Sequence, residues 1–352
     1  MAEVMVALSG GVDSSVAAAL CLEAGLSVTA VTLKLWGGET DSGCCSVSDV
    51  TDARRVANAL GVEHHVFNFG DDFQRHVVDP YVADHAAGRT PNPCVECNRH
   101  IKFDRLLERA DVLGVDLLAT GHHARVVDGP GGVRHIARGA DAAKDQSYVL
   151  HMLDAPVLRR LLLPVGGLTK DEVRARAAEL GLRTADKPDS QDVCFIERSP
   201  GRGVAARKAF LGDRIPLRSA RIVDETGTEV GSTDSIELVT VGQRKGLDLG
   251  GGGQRRYVTD IDHEGAVVHV GPRSGTLTDA TPVPDLVWTG DPVDGEVLVQ
   301  HSAHGRPVAA TVDTADGVPV IRWGEPHVKV APGQAVVCYL GDLVVAGGTA
   351  GA

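Results

Sequence analysis

The apolar run Val4-Met5-Val6-Ala7-Leu8 is followed, after a glycine-rich turn, by Ser14 to Ala24 and then Gly25, a pattern that predicts a buried strand leading into a helix. The alternation continues. Val28 to Leu33 is a second β-rich run, Asp52 to Leu60 reads as a helix ending at Gly61, and Val62 to Phe69 reads as a third strand. Asn98 to Leu113 predicts a helix with Ile101, Leu106, Leu107 and Ala110 along one side, followed by a strand over Leu117 to Thr120. Thr169-Lys170-Asp171-Glu172 has capping-box spacing and opens a helix that ends at Gly181. Strands that alternate with helices predict an α/β fold with a doubly wound parallel sheet. After about Ser219 the pattern changes. Short runs at 221–223, 236–239, 265–268 and 335–338, separated by glycine-rich turns, predict small all-β modules. The expected division is an α/β domain over 1–197, a small β-rich central domain with a basic segment over 198–270, and a C-terminal β-barrel over 271–352.

Composition narrows the function classes. A chain of 352 residues is too long for one core of typical size, and 43% hydrophobic content supplies ample burial. No run of eighteen apolar residues occurs and the chain passes from Met1 directly into a strand, so a cytoplasmic protein with no membrane partner is expected. Seven cysteines in such a chain point to thiol chemistry or metal binding rather than a disulfide framework. The net charge of −12 runs against the basic surplus of most nucleic-acid binders. Locally the balance reverses: Arg198, Arg202, Arg207, Lys208, Arg214, Arg218 and Arg221 face only Asp213, a stretch suited either to a phosphate backbone or to a solvated helix face.

The loop Ser9-Gly10-Gly11-Val12-Asp13-Ser14-Ser15 lies between the first strand and the first helix. Paired glycines let the backbone approach phosphate oxygens, the serine hydroxyls add donors, and the helix N-terminus adds partial positive charge. No lysine follows as in a Walker loop, and the spacing is not that of dinucleotide folds. A tight turn with an ordinary helix cap is the alternative. The loop resembles the pyrophosphate loop of the N-type ATP pyrophosphatases, in which Asp13 would help to hold magnesium beside the pyrophosphate.

A second region, Thr90 to Phe103, contains Pro91 and Pro93, expected to pin an extended loop, and places Cys97 at the entrance to the following helix beside Arg99, His100 and Lys102. Helix N-terminus and cations both lower a thiol pKa, so Cys97 is expected to be a reactive thiolate. A buried inert cysteine or half of a zinc knuckle are the alternatives, the latter weakened because no second C-x-x-C exists. Cys194, in Asp189-Ser190-Gln191-Asp192-Val193-Cys194-Phe195-Ile196, is a third candidate.

Taken with Gly88-Arg89-Thr90-Pro91-Asn92-Pro93, Cys97-Asn98, Ala119-Thr120-Gly121-His122, Lys144-Asp145-Gln146-Ser147-Tyr148, Cys194-Phe195-Ile196 and Gly242-Gln243-Arg244-Lys245-Gly246-Leu247, the chain resembles the tRNA-specific 2-thiouridylase family, MnmA, over nearly its whole length. The resemblance implies an ATP-pyrophosphatase catalytic domain that adenylates O2 of the wobble uridine and replaces it with sulfur, giving 2-thiouridine, AMP and pyrophosphate. It implies Cys97 as nucleophile and Cys194 as persulfide carrier, the two ending as a disulfide. It further implies that Ala7, Leu8, Ser9, Gly10, Gly11, Val12, Asp13, Ser14, Leu33 and Gly121 line the ATP site. Asn92, Pro93 and Cys94 would face the base, and His122, Lys144, Asp145, Gln146 and Gln334 would touch tRNA. The implied partners are tRNAs with Lys, Glu and Gln anticodons and a sulfur donor such as a cysteine desulfurase or relay protein. The implied cofactors are ATP and Mg2+, with no dedicated metal site.

Cys94 departs from the pattern, since many members have aspartate there, and a thiol differs from a carboxylate in pKa and hydrogen bonding. With Cys97 and Cys194 it makes three thiols, the number that holds a [4Fe-4S] cluster with one open iron, so sulfur delivery through a cluster is the alternative to the persulfide. Ser302-Ala303 is a second departure, which His301, His304 and Arg306 compensate in part. Cys44-Cys45 falls in a loop expected to act as an active-site lid, and Cys21 and Cys338 are expected in cores. Two other classes compete: an ATP pyrophosphatase acting on a small metabolite, which leaves the loop cysteines unexplained, and a non-enzymatic RNA-binding module, which leaves the ATP loop unused.

Overall fold

Val4, Met5 and Val6 are fully buried and alternate between two cores, as adjacent residues of a strand covered on both faces must. The computed structural model describes residues 2–36, 47–189, 193–196, 203–249, 255–315 and 317–351. The first sheet contains β1 (Glu3–Ala7), β2 (Ser27–Lys34), β3 (Glu63–Asn68), β4 (Leu117–Ala119) and, at its far edge, Leu161–Leu162, in the order β3-β2-β1-β4 and then that edge strand. Every pairing is parallel. Val4, Val6, Ala30 and Ala119 join α1 (Val12–Glu23) and α2 (Val47–Leu60) in one core, while Met5, Val31, Leu33 and Leu118 face the other with Phe73, Ile101 and Phe103. This is the doubly wound α/β arrangement. Cys21 lies in the first of these cores, where burial pushes its thiol up to about 11.

Two helical stretches differ from expectation. Instead of an extended loop ending at Asn98, helix begins at Pro93 and runs to Leu113 in three consecutive pieces, Pro93–Glu96, Cys97–Arg105 and Leu106–Leu113, the middle one wound as a π-helix. Asn92 caps it, its side chain accepting from the Cys94 N–H at 3.1 Å, and Pro93 occupies the first turn, where a missing N–H costs no hydrogen bond. Cys97 is therefore inside the helix, one turn beyond its start. A similar helix over Gly70–Phe73, Gln74–Val78 and Asp79–Ala86 shows π winding just before Pro80, which has no N–H to donate back. The helix expected from Asp52 starts at Val47.

The remaining strands form two further sheets. Ala220–Val223, Glu229–Thr233, Asp248–Leu249, Tyr257–Asp262 and Val267–Gly271 make the central one, around Ile222, Ile236, Val258, Val268 and Val270. The strand expected at 236–239 is a 3-10 turn instead, because buried Glu237 accepts from the Arg218 N–H at 3.0 Å and its Nε at 2.9 Å, which fixes a bend. The run expected at 265–268 begins as a corner, with Ala266 at φ 52°, and becomes strand at Val267. The last sheet holds the strands from Leu277 onward and also the hairpin Ala124–Asp128 and Arg134–Arg138 of the N-terminal half, joined through Leu343 opposite Ala137. The junction is polar and aromatic. The Arg138 guanidinium lies 3.8 Å over the Tyr339 ring and pairs with Asp145 at 3.0 Å, Tyr339 shares a hydrogen bond with Ser147, and Tyr148 donates to the Ala335 carbonyl. Cys338 is buried in the barrel core, its thiol pushed up to about 12. No helix among the described residues is long and apolar enough to cross a membrane.

Candidate active site

The loop after β1 is shaped by glycines that admit nothing larger. Gly10 adopts φ +74°, and a Cβ there would meet the Asp49 carbonyl at 2.4 Å. A Cβ on Gly121, just beyond β4, would come within 2.5 Å of the Ser14 nitrogen, so only glycine lets that segment lie against the loop. Ser14 and Ser15 brace the loop from inside while Ser9 stays exposed: Ser14 Oγ bonds the Ser9 N–H, Ser9 Oγ and the Gly11 carbonyl at 3.1 Å each, and Ser15 Oγ donates to the Gly11 carbonyl at 2.7 Å. Ser15 is fully buried, which corrects the expectation that its hydroxyl is a donor for phosphate. Donors placed for an anion include the exposed Ser9 hydroxyl, the loop backbone and the first N–H groups of α1, which have no intrahelical acceptor. Ala7 and Leu8 lead into the loop, and Leu33, 9% exposed, lies near the end of β2 in the core.

Asp13 is the charged member of the loop. Lys170 Nζ lies 2.7 Å from both of its oxygens, and His123 Nε2 lies 3.0 Å from Oδ1. Burial raises the Asp13 pKa, yet the bonds from His123 and Lys170 outweigh it and hold the carboxyl below its ordinary value. Magnesium is implied beside such a loop, but the residues as placed do not fit it: each Asp13 oxygen already accepts from Lys170, and one from His123 as well. Lys170 also reaches Asp189 at 2.8 Å, and Asp189 takes Lys144 at 2.8 Å and Arg174 at 2.9 Å. Burial opposes ionisation of Asp189, but Lys144 and Lys170 prevail and hold it at about 2.

This ion-pair group sets an acid limb. Because the Asp189 pKa is depressed on folding, its contribution is complete above the ordinary carboxylate value and is lost as pH falls from about 4 toward 2. Asp189→Asn is expected to flatten the fall in urea midpoint across that window, and an unchanged acid limb would contradict the assignment. The helix Lys170–Glu179 that presents Lys170 begins with a complete capping box, Thr169 bonding the Glu172 N–H and Glu172 bonding the Thr169 N–H. Thr169→Ala is expected to cost about 1 kcal/mol of stability in chemical denaturation.

Cys97 is 8% exposed and belongs to the same core cluster as Phe73, Ile101 and Phe195. Cys194 is partly buried and packs against that cluster from the Val193–Ile196 segment. Cys94 is half-buried beside its cap, Asn92. Among the described residues, no group of three or more His, Cys, Asp or Glu side chains is arranged to hold a metal ion, so these three thiols do not fit an iron-sulfur cluster as placed. Cys44 and Cys45, and Arg198 and Arg202 of the basic stretch, lie outside the described residues.

The positions expected at tRNA fall into two groups. Lys144 is partly exposed and pairs with Asp189, and Gln334 sits in a turn whose Pro332 carbonyl accepts from the Thr90 N–H at 2.7 Å, bringing the barrel against the segment that leads to Asn92 and Pro93. Asp145, by contrast, is bonded internally to Arg138, the Gly139 N–H and Ser147, and Gln146 Oε1 accepts from the His123 N–H. His122 is buried against Phe103 with Nδ1 at 2.7 Å from Thr120 Oγ1, and burial holds its pKa well below the ordinary value. Of the two adjacent histidines, His123 is the one that reaches the loop 9–15, at Asp13. Neither His123 nor Lys170 stood out in the sequence. In the basic stretch, Lys208 pairs with Asp234, Arg218 with Glu237, and Arg214 stacks on Phe210 at 3.9 Å.

Comparison with known proteins gives three consecutive family matches: a tRNA methyl transferase HUP domain over residues 2–198, a tRNA methyl transferase PRC-barrel domain over 208–272, and an aminomethyltransferase beta-barrel domain over 279–350. A Chloroflexus aurantiacus protein named tRNA-specific 2-thiouridylase MnmA is 45% identical, covering 99% of this chain and 98% of its own. A Thermobifida fusca protein of the same name is 44% identical, covering 98% of this chain and 94% of its own. Among solved structures, a 4-thiouridine synthetase in complex with RNA and bound ATP is 20% identical with a TM-score of 0.40, covering 55% of this chain and 45% of that one.

Proposed function

The chain belongs to the tRNA-specific 2-thiouridylase family, and from that premise we propose how its own residues carry the reaction. It is an ATP-using sulfurtransferase that modifies tRNA. The methyl transferase wording of two of the matched domains does not suit the site, because methyl transfer needs neither a pyrophosphate loop nor a pair of cysteines.

A pyrimidine carbonyl oxygen is a poor leaving group. Attack of uridine O2 on the α-phosphate of ATP expels pyrophosphate and turns that oxygen into part of AMP, a good leaving group. The N-terminus of α1 and the Gly10-Gly11 backbone hold the departing pyrophosphate, with Lys170 and Lys144 as the nearby cations. The terminal sulfur of a persulfide on Cys194 then attacks C2 and AMP departs, leaving the base joined to Cys194 through a disulfide. The Cys97 thiolate attacks Cys194 Sγ, the S–S bond to the base breaks, its electron pair stays with the 2-thio group, and Cys97 and Cys194 end as a disulfide. Asn92, Pro93 and Cys94 border the base, with Gln334 presented from the barrel. Domain limits at 1–197, 198–270 and 271–352 accompany this reading, as do wobble-uridine tRNAs of Lys, Glu and Gln type, a cysteine desulfurase or relay protein as donor, and a cytoplasmic location.

The observation that supports the reading most is that Cys97 and Cys194, ninety-seven residues apart in sequence, border one core cluster. Incubation with labelled ATP tests it. Pyrophosphate release that requires tRNA is expected; release with an amino acid alone would indicate a metabolite enzyme, and no release a binding module. Charge reversal at Arg207 and Lys208 is expected to weaken tRNA binding and to lower the slope of log affinity against log salt by about 1 to 2. Binding measured across a salt series with an unaltered slope would take the basic stretch out of the RNA surface.

A further inference from the structure

Lys170 stands where the ATP loop meets the segment that leads to Cys194. An ammonium has three hydrogens, and its three acceptors here are Asp13 Oδ1 and Oδ2 at 2.7 Å and Asp189 Oδ1 at 2.8 Å. The side chain is 10% exposed, and the Lys170 N–H is itself fixed by Asp141 Oδ2 at 2.9 Å, so the head group stays between the two carboxylates. Arg174 clamps the same stretch, donating to the Ala185 and Lys187 carbonyls at 2.6 and 3.1 Å as well as to Asp189. Residues 185–189 are thus held by cations, and Cys194 follows Asp189 by five residues, a span of at most about 18 Å. Beyond Cys194 the chain is anchored: the Phe195 ring lies 5.3 to 6.1 Å from those of Phe210, Tyr81, Phe73 and Trp36. Between these two anchors Val193 is held at φ 52°, an uncommon and strained conformation for a β-branched residue.

A pyrophosphate in loop 9–15 cannot share that space with the Asp13 carboxylate unless a cation lies between them, and Lys170 is the cation already in contact. We propose that Lys170 is a positioning residue that passes the occupancy of the ATP loop to Cys194: pyrophosphate and Asp189 compete for its ammonium, so that nucleotide binding loosens residues 185–189 and changes the exposure of the Cys194 thiol. The inference rests on the thiouridylase assignment for its purpose and on the ion-pair geometry for its mechanism.

The test is the alkylation rate of Cys194 by iodoacetamide in the reduced full-length protein, read by mass spectrometry with and without α,β-methylene ATP. The rate is expected to change about fivefold with the analogue, at the lower end of usual site-to-site coupling. In Asp189→Asn the analogue should still bind, within about threefold of the native affinity, while the alkylation rate no longer responds to it. Lys170→Gln should lose the response and also bind the analogue more weakly. A structural role alone would alter the basal rate and leave the response to nucleotide in place. Native protein that binds the analogue with no change at Cys194, or either variant retaining the full response, overturns the coupling and leaves the thiouridylase assignment standing. Failure of the native protein to bind the analogue at all overturns both.

Discussion

Serine at position 97 or at position 194 is expected to lower thiolation of tRNA by a factor on the order of 10³ or more, because a hydroxyl neither carries a persulfide nor resolves one. The two variants should remain folded. Cys97 is buried in a core cluster, where serine preserves volume, and Cys194 sits in a segment anchored by Phe195 rather than by its own thiol. Adenylation precedes sulfur transfer, so tRNA-dependent pyrophosphate release should persist in both while 2-thiouridine does not form. Cys94→Ala distinguishes the persulfide from a cluster. In iron-free protein it should retain measurable thiolation, since the three thiols are not arranged as a metal-binding group. Activity that scales with bound iron and is lost in all three variants alike would contradict this.

Asp13→Ala is expected to lower pyrophosphate release by at least about 10²-fold, the scale on which removal of one preorganised charge acts. The Asp13 carboxylate sits in the first turn of α1 and holds both Lys170 and His123 at the loop. Without it Lys170 keeps only Asp189 among its acceptors and has no tie to the nucleotide site. Binding of tRNA should stay within about twofold, because phosphate contacts, proposed here for the basic stretch, supply most RNA affinity. Filter binding and pyrophosphate release measured on the same preparation separate the two effects, and normal release from Asp13→Ala would contradict the role given to the loop.

Most of the parallel sheet was legible because its signals are local. A glycine turn after an apolar run marks β1 and α1, and the capping box at Thr169 lies within four residues of chain. Pro93 misled the reading, since a sequence rule scores proline as a breaker and the fold places it in the first turn of the helix. Alternation at 236–239 suggested a strand, but the partner that bends this stretch, Arg218, is eighteen residues or more away and binds a buried carboxylate that no period reveals. In the candidate site the loop and the cysteines carry signals in the sequence, and the charges that surround Asp13 do not. Lys170 reads as the first residue of a helix, and its pairing with Asp13 joins positions 157 residues apart. His123 was masked by its neighbour, since adjacent side chains leave the backbone in different directions, His122 toward Phe103 and His123 toward Asp13.

The most direct measurement is the nucleoside composition of tRNA after incubation with the reduced protein, ATP and a persulfide donor, with AMP counted in the same reaction. One AMP per 2-thiouridine formed is the predicted result, with neither product in Asp13→Ala, and with pyrophosphate released but AMP still joined to the tRNA and no 2-thiouridine in Cys194→Ser. Formation of 2-thiouridine without AMP, or by the Cys194→Ser protein, would contradict the assignment of adenylation to the loop and of sulfur delivery to Cys194.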